Sequence, residues 1–416
     1  MHALLSLVVA DPPRIDSGDT AWMLVSAAFV LLMTPGLALF YGGMVRRKNV
    51  LSTFMYVHVS LALITLQWVI IGYSLVFGDS IGGLIGNLKY AFLYGVGMEP
   101  RGTVPHLVFM AFQMKFAIIT PALIAGAFVE RFKFSAFCVF ALLWTTLVYD
   151  PVAHWVWADN GWLLKQGALD FAGGTVVHLT AGVSALVCAL VVGKRVNYPR
   201  EKGLPHNLTM TVTGAGLLWF GWFGFNAGSA LGSGGLAGLA FVTTHVSAAA
   251  AAFSWVGIEW WHRKRPTMLG FVSGLVAGLV AITPAAGFVS VRAALVIGLV
   301  AGLVCYGAVL LKERWHYDDS LDAFGVHGVG GILGALLTGV FAKKILNPGG
   351  ADGLLAGNPA QLGVQLLGIV AVGAYSALLT YILLKIIDRV IGLRVSIDDE
   401  REGLDMTQHG EQGYVS

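Results

Sequence analysis

Two histidines stand in matching surroundings. His178 lies in Asp170-Phe-Ala-Gly-Gly-Thr-Val-Val-His178-Leu-Thr-Ala-Gly182, and His327 in Asp322-Ala-Phe-Gly-Val-His327-Gly-Val-Gly-Gly331. Each follows an aspartate and a glycine, and each is followed four residues later by glycine. Two imidazoles brought together can share a hydrogen bond, one ring donating and the other accepting. Such a pair passes a proton or bonds a small polar solute. Two alternatives stay open at this level: separate core histidines bonded to backbone carbonyls, and a haem held by the pair, for which no attachment motif is visible. A second set is aromatic. In Gly221-Trp222-Phe223-Gly224-Phe225-Asn226-Ala227-Gly228-Ser229, Phe225 and Ser229 are spaced i, i+4 and share a helix face. Phe112 and Phe116 have the same spacing, and His154-Trp155-Val156-Trp157 supplies two more rings. Aromatic faces attract a cation by about 0.5–2 kcal/mol each. Rings with one hydroxyl suit a small cation that also donates a hydrogen bond; plain packing aromatics are the alternative.

The elements that position these residues follow from composition. The chain has 416 residues, 56% hydrophobic and 12% charged, with 54 glycines. A soluble domain carries about 25% charged residues, so this chain cannot solvate a soluble fold's surface. A formal charge of +3 is too small to imply a nucleic acid or other polyanionic partner. Cys138, Cys188 and Cys305 all sit in apolar runs, which makes them buried thiols rather than a disulfide framework. A membrane-crossing helix needs about 20 apolar residues. Eleven such runs are present, at about 21–41, 53–77, 105–128, 135–157, 171–193, 212–232, 236–261, 268–287, 291–311, 327–345 and 363–388. The fold class is an all-α polytopic membrane protein.

Eighteen of the 26 Lys and Arg residues fall in the loops after runs 1, 3, 5, 7 and 9 and in the tail. The positive-inside rule then places the N-terminus outside and the C-terminus in the cytoplasm. Runs 5 and 10 carry the two histidines, so the echo suggests two five-helix repeats plus a final helix. An odd helix count per repeat gives inverted topology with a site at the repeat interface. Residues 1–20 form the extracytoplasmic N-terminus, with 1–10 a candidate signal remnant that lacks a basic start. Residues 21–390 are the membrane domain and 391–416 the cytoplasmic tail.

Ionisable groups inside a span cost roughly 2.5–3.5 kcal/mol on insertion scales. Lys115 lies about 15 Å and Asp150 about 10 Å from the outer ends of runs 3 and 4, at 1.5 Å per residue. The depths predict a structural ion pair between them; the competing reading puts Lys115 in a pore. Asp170 either binds a cation directly or bonds the backbone at its own helix start; the second reading is preferred.

At these residues the chain resembles the ammonium transporters of the Amt/Mep/Rh family, of the bacterial Amt type, from about residue 20 onward. The carriers are Pro35-Gly-Leu-Ala-Leu-Phe-Tyr-Gly-Gly43, Phe112-Gln113 with Phe116, the two histidine segments, Gly221 to Ser229, and Glu400-Arg-Glu-Gly-Leu-Asp405. The resemblance implies a homotrimer of eleven-helix subunits in the inner (plasma) membrane, each with its own pore. It implies an outer ammonium recognition site at Trp157, Phe116 and Ser229, and a stacked gate at Phe116 and Phe225. His178, His327 and Trp222 then line the pore and serve a proton relay, and Asp170 supports the site. Ammonium or ammonia is the implied solute, with methylammonium as analogue, and a PII-type signal protein the implied partner at the cytoplasmic face. No cofactor, metal or enzymatic activity is expected. The alternative is an ammonium sensor that signals through a separate cytoplasmic partner.

Overall fold

A computed structural model of the chain describes residues 14–200 and 204–414; the candidate signal remnant at 1–10 lies outside them. It is almost wholly helical. Among the described residues, ten helices are long and apolar enough to cross a membrane. They are α1 (Ser17–Met44), α2 (Arg47–Phe77), α3 (His106–Ala125), α4 (Phe134–Lys165, broken after Trp157), α5 (Gly174–Val192), α6 (Leu208–Ala227), α7 (Gly235–Arg263), α9 (Val291–Trp315), α10 (Phe324–Phe341) and α11 (Ala360–Val390). Between α7 and α9 lies the shorter apolar α8 (Met268–Ile282). The run read at 268–287 ends early as regular helix because Pro284 has no N–H to continue the helical ladder; Thr283, just before it, keeps helical backbone and its nitrogen donates to the Val280 carbonyl at 3.2 Å. Buried turns continue the chain through 283–289.

Several helices leave the α-helical register. π-helical turns occupy Trp68–Gly72 in α2, Thr145–Tyr149 in α4, Gly174–Leu179 at the start of α5, Phe223–Ala227 in α6 and Phe324–Gly328 at the start of α10. A π turn inserts one residue, opens the backbone ladder and re-aims the side chains around it. His178, Phe225 and His327 all sit on such turns.

Small residues let the helices approach closely. An added Cβ at Gly182 in α5 would lie 2.0 Å from the backbone nitrogen of Gly328, and one at Gly331 in α10 would lie 2.8 Å from the carbonyl of Gly174. Two glycines, each four residues beyond its histidine, thus close the α5–α10 crossing from both sides. Shape supplies such contacts where lipid offers no hydrophobic drive. One end of the bundle, the basic face, is tied by charge. Glu130 accepts from Arg46 at 3.1 Å and Arg195 at 2.9 Å, and Arg195 also pairs with Asp318 at 2.8 Å. Burial alone would raise the Glu130 carboxyl, but the two guanidinium groups hold it below the usual carboxylate range. The tail forms α12 (Ile397–Glu402) and α13 (Leu404–His409) on this face. Glu400 pairs with Arg394 at 2.7 Å, and Asp405 accepts from the Ser52 nitrogen at 2.8 Å. At the opposite face the α2–α3 connection carries two short antiparallel hairpins, Ser80–Ile81 against Ile85–Gly86 and Pro100–Arg101 against Val104–Pro105.

The expected Lys115–Asp150 ion pair does not form. Among the described residues no ion pair within 4.0 Å includes either group. Asp150 is fully buried and accepts from Gln67 Nε2 at 2.7 Å, whereas the half-buried Lys115 approaches only Met114 Sδ, at 4.0 Å. Counting residues gives the height of a side chain along a helix but not the direction it faces. The π turn immediately before Asp150 shifts that direction.

Candidate functional site

The site is a column of rings between α3, α4, α5, α6 and α10. Its first member is Trp157, at the end of the regular part of α4, whose indole nitrogen donates to the Asp170 carbonyl at 3.1 Å. Phe116 meets Trp157 edge-on, with ring centroids 5.7 Å apart at 85°, and Phe112 meets Phe116 at 5.0 Å. Phe116 and Phe225 lie 4.2 Å apart at 36°, and both are about 1% exposed. Below them the His178 ring stacks 6.0 Å from Phe225 and 5.3 Å from Trp222. His327 follows at 5.3 Å from His178, with the two Nδ1 atoms 3.3 Å apart. One imidazole donates in that contact and the other accepts. His178 Nε2 is buried and has no hydrogen-bond partner among the described residues, which leaves it available to a solute.

Ser229, one turn beyond Phe225, is partly buried and donates to the Phe225 carbonyl at 2.8 Å. With its own proton committed, its oxygen keeps acceptor capacity only. The structure therefore brings Trp157, Phe116, Phe225, Trp222, His178 and His327 into one ring-to-ring series. Ser229 joins it through Phe225.

Asp170 does not rely on a cation. Its carboxylate accepts from the backbone nitrogens of Gly173, Gly174, Thr175 and Val176 at 2.7–3.1 Å and from Thr175 Oγ1 at 2.6 Å. Five donors at the start of α5 satisfy it where the helix dipole favours negative charge. This cradle fixes the π turn on which His178 sits. The matching group in front of His327 is Asp319, not the Asp322 chosen from the sequence. Asp319 accepts from the nitrogens of Ala323 and Phe324 at 3.1 and 2.8 Å, while Asp322 pairs with Lys312. The signal was spacing: Asp170 precedes His178 by eight residues, as Asp319 precedes His327. Thr283 was also missed; its hydroxyl accepts from Trp222 Nε1 at 3.0 Å and so fixes the indole against His178. No sequence pattern marks it.

The space along the column is narrow. A cavity of about 10 Å³ is bounded by His178, His327, Trp222, Phe225, Leu37 and other apolar side chains. That is close to the minimum a single water-sized molecule requires. A cavity of about 50 Å³ follows beyond His327, reaching Tyr41, Met44 and Asp322. Asp322 in turn borders an open recess of about 380 Å³ with Arg195 and Lys312 at the basic face. Among the described residues, no charged side chain borders the narrowest part. The arrangement favours a small neutral solute and disfavours a hydrated ion.

Comparison with known proteins bears on the same residues. The family model described as Ammonium Transporter Family matches residues 21–414. An ammonium transporter of Bacillus subtilis is 50% identical over 401 residues, covering 95% of this chain and 98% of its own. Among solved structures, Mep2 of Saccharomyces cerevisiae superposes with a TM-score of 0.87 at 38% identity, over 92% of this chain and 91% of its own. A structure titled Sensor Amt Protein superposes with a TM-score of 0.88 at 30% identity, over 94% and 98%. The chain spans nearly the whole of each and belongs to the ammonium transporter family.

Proposed function

We propose that this chain takes up NH₄⁺ at Trp157, Phe116 and Ser229, removes its proton at the Phe116–Phe225 constriction, and conducts NH₃ past His178 and His327. The observation that carries the reading is the unbroken ring series, which ends in an imidazole pair beside a narrow cavity with no charged lining. Ammonium and K⁺ are alike in size and charge, so charge alone does not separate them. Directional donation to the Ser229 oxygen, with cation–π contact to the rings, does. Moving the intact ion through the constriction costs its hydration. Desolvation favours the neutral form of a cationic acid, so the proton leaves near the gate. The histidine pair then contributes to a relay for that proton, and His178 Nε2 accepts from or donates to the passing NH₃.

The wider reading has further support. Eleven crossings with the N-terminus outside agree with the concentration of Lys and Arg on one face. The paired glycines and paired aspartates around α5 and α10 fit two inverted repeats. Trp219, His245, Phe223 and Phe241 stack on an outward face of α6 and α7, with Phe223 and Phe241 only 4.0 Å apart. A histidine and a row of rings at membrane depth suit a contact between subunits of a homotrimer. The recess at the basic face and the docked tail suit a PII-type partner at the cytoplasmic side of the plasma membrane.

The test is current on a solid-supported membrane after an ammonium pulse, with K⁺ as competitor. His178→Asp and His327→Glu should each change current or selectivity. Full current and full selectivity in both variants would remove the relay. The second reading, an ammonium sensor, draws on the likeness to the Sensor Amt Protein. It predicts saturable ammonium binding with neither current nor methylammonium uptake.

A further inference from the structure

Asp150 is buried inside α4 and takes no part in the ring column. It is 0% exposed, yet its carboxyl receives one hydrogen bond, from Gln67 Nε2 to Oδ2 at 2.7 Å. Among the described residues Oδ1 has no partner, and neither has Gln67 Oε1. Three other buried acids of this chain differ: Asp170 has five donors, and Glu130 and Asp318 face guanidinium groups. An ionised carboxylate in an apolar interior with one neutral donor is far too costly to persist, and such a group neutralises instead. The two unpartnered oxygens belong to the two groups already joined by the Gln67–Asp150 bond. A proton on Oδ1 completes the accounting, because an acid and a primary amide close a ring of two hydrogen bonds, N–H to Oδ2 and Oδ1–H to Oε1.

We propose that Asp150 is held as a neutral carboxylic acid in such an acid–amide ring with Gln67, and that this ring positions the segment of α4 that ends in Trp157. Three features support the positioning role. Gln67 also donates to Thr146 Oγ1 at 3.2 Å, inside the π turn that precedes Asp150. Gly72 makes the seat for the amide, since a Cβ there would lie 2.5 Å from Gln67 Oε1 and 2.8 Å from Nε2. Finally, the segment beyond Asp150 is tied to the same neighbouring stretch of chain at successive points. His154 bonds the Val76 carbonyl and Ser80 Oγ, each at 2.7 Å, and Trp155 donates to the Leu84 carbonyl at 2.8 Å. The acid–amide ring is the innermost of these ties. Trp157 lies seven residues, about 10 Å, further along the helix. The proposal rests on the recognition role given to Trp157 only for its transport readout; the protonation state stands apart from it.

Infrared difference spectroscopy of the full-length protein in lipid reads that state directly. Asp150→Asn should remove the carbonyl stretch of a protonated carboxylic acid at neutral pH, and Gln67→Leu, with Asp150 retained, should move that band to higher frequency. Loss of a carboxylate stretch in Asp150→Asn, or a band indifferent to both variants, overturns the neutral acid. For positioning, Asp150→Leu should raise the KM for methylammonium several-fold, with Vmax kept. Asp150→Asn closes the same ring with its amide and should restore it. An Asn variant as impaired as the Leu variant overturns the positioning role. If Asp150→Leu fails to fold, the KM of Gln67→Leu against that of Gln67→Glu, which re-forms an acid pair, decides the same point.

Discussion

Substituting Gly182 by alanine tests whether transport depends on the α5–α10 crossing. An added Cβ would stand 2.0 Å from the Gly328 nitrogen and 2.3 Å from its Cα. Ordinary contact begins near 3.4 Å, so the two helices must part locally by about 1.4 Å, against the close packing of protein interiors. Both atoms are backbone, and no rotamer change relieves the clash. His178 lies one turn before Gly182 and His327 is the neighbour of Gly328, so the displacement falls on the imidazole pair. Its Nδ1–Nδ1 separation of 3.3 Å is already long for a hydrogen bond, and a further ångström breaks it. Overpacking of this kind costs about 1–3 kcal/mol, which a stable membrane domain survives. The expected result is a folded protein with a lowered melting temperature and a methylammonium uptake rate reduced tenfold or more, since about 1.4 kcal/mol on a barrier is tenfold. Gly363→Ala in α11 is the control: nothing lies within 4 Å of its added Cβ, and a helical Gly→Ala change there gains about 0.5–1 kcal/mol. Uptake at the wild-type rate in a folded Gly182→Ala protein would refute the dependence of transport on this crossing.

Three other outcomes follow from the same contacts. Asp170→Asn turns an acceptor of five donors into a group that must present its own NH₂ to backbone N–H, and should lower stability by about 3 kcal/mol and transport with it; thermal unfolding and uptake check this. Lys115→Met should cost no more than about 0.5 kcal/mol in the same unfolding measurement, whereas a loss of about 3–5 kcal/mol would restore the buried ion pair. Asp319 is pushed up to about 6, burial outweighing the nearby Lys312. Its folded form therefore binds a proton more tightly than the unfolded chain. The sign is opposite to that of a salt-bridged aspartate: this group's contribution favours folding more as pH falls through about 6, and the gain is complete near the ordinary aspartate value of about 4. Asp319→Asn should remove that component from the pH dependence of the melting temperature between pH 4 and 7.

Most of the membrane architecture was legible because a bilayer imposes few solutions. Long apolar runs and glycines at helical spacing each answer to one physical requirement. The ring column was legible in part, through the i, i+4 pairs Phe112–Phe116 and Phe225–Ser229. What failed was azimuth. Lys115 and Asp150 were matched by depth, and Asp322 was chosen as the partner of Asp170 by proximity to a histidine. In both cases a π turn stands next to the residue in question, at Thr145–Tyr149 and at Phe324–Gly328. A regular helix lets spacing be converted into direction at 3.6 residues per turn, and an inserted residue cancels that conversion locally. No propensity marks the insertion, because Thr145, His178 and Phe324 are ordinary helix residues whose extra turn is held by tertiary bonds such as the Asp170 cradle. The same insertions place His178, Phe225 and His327 on the column. The positions where spacing misleads are therefore those where the backbone has been bent to build the ring column, and a mismatch between helical spacing and chemistry is itself a pointer to the site.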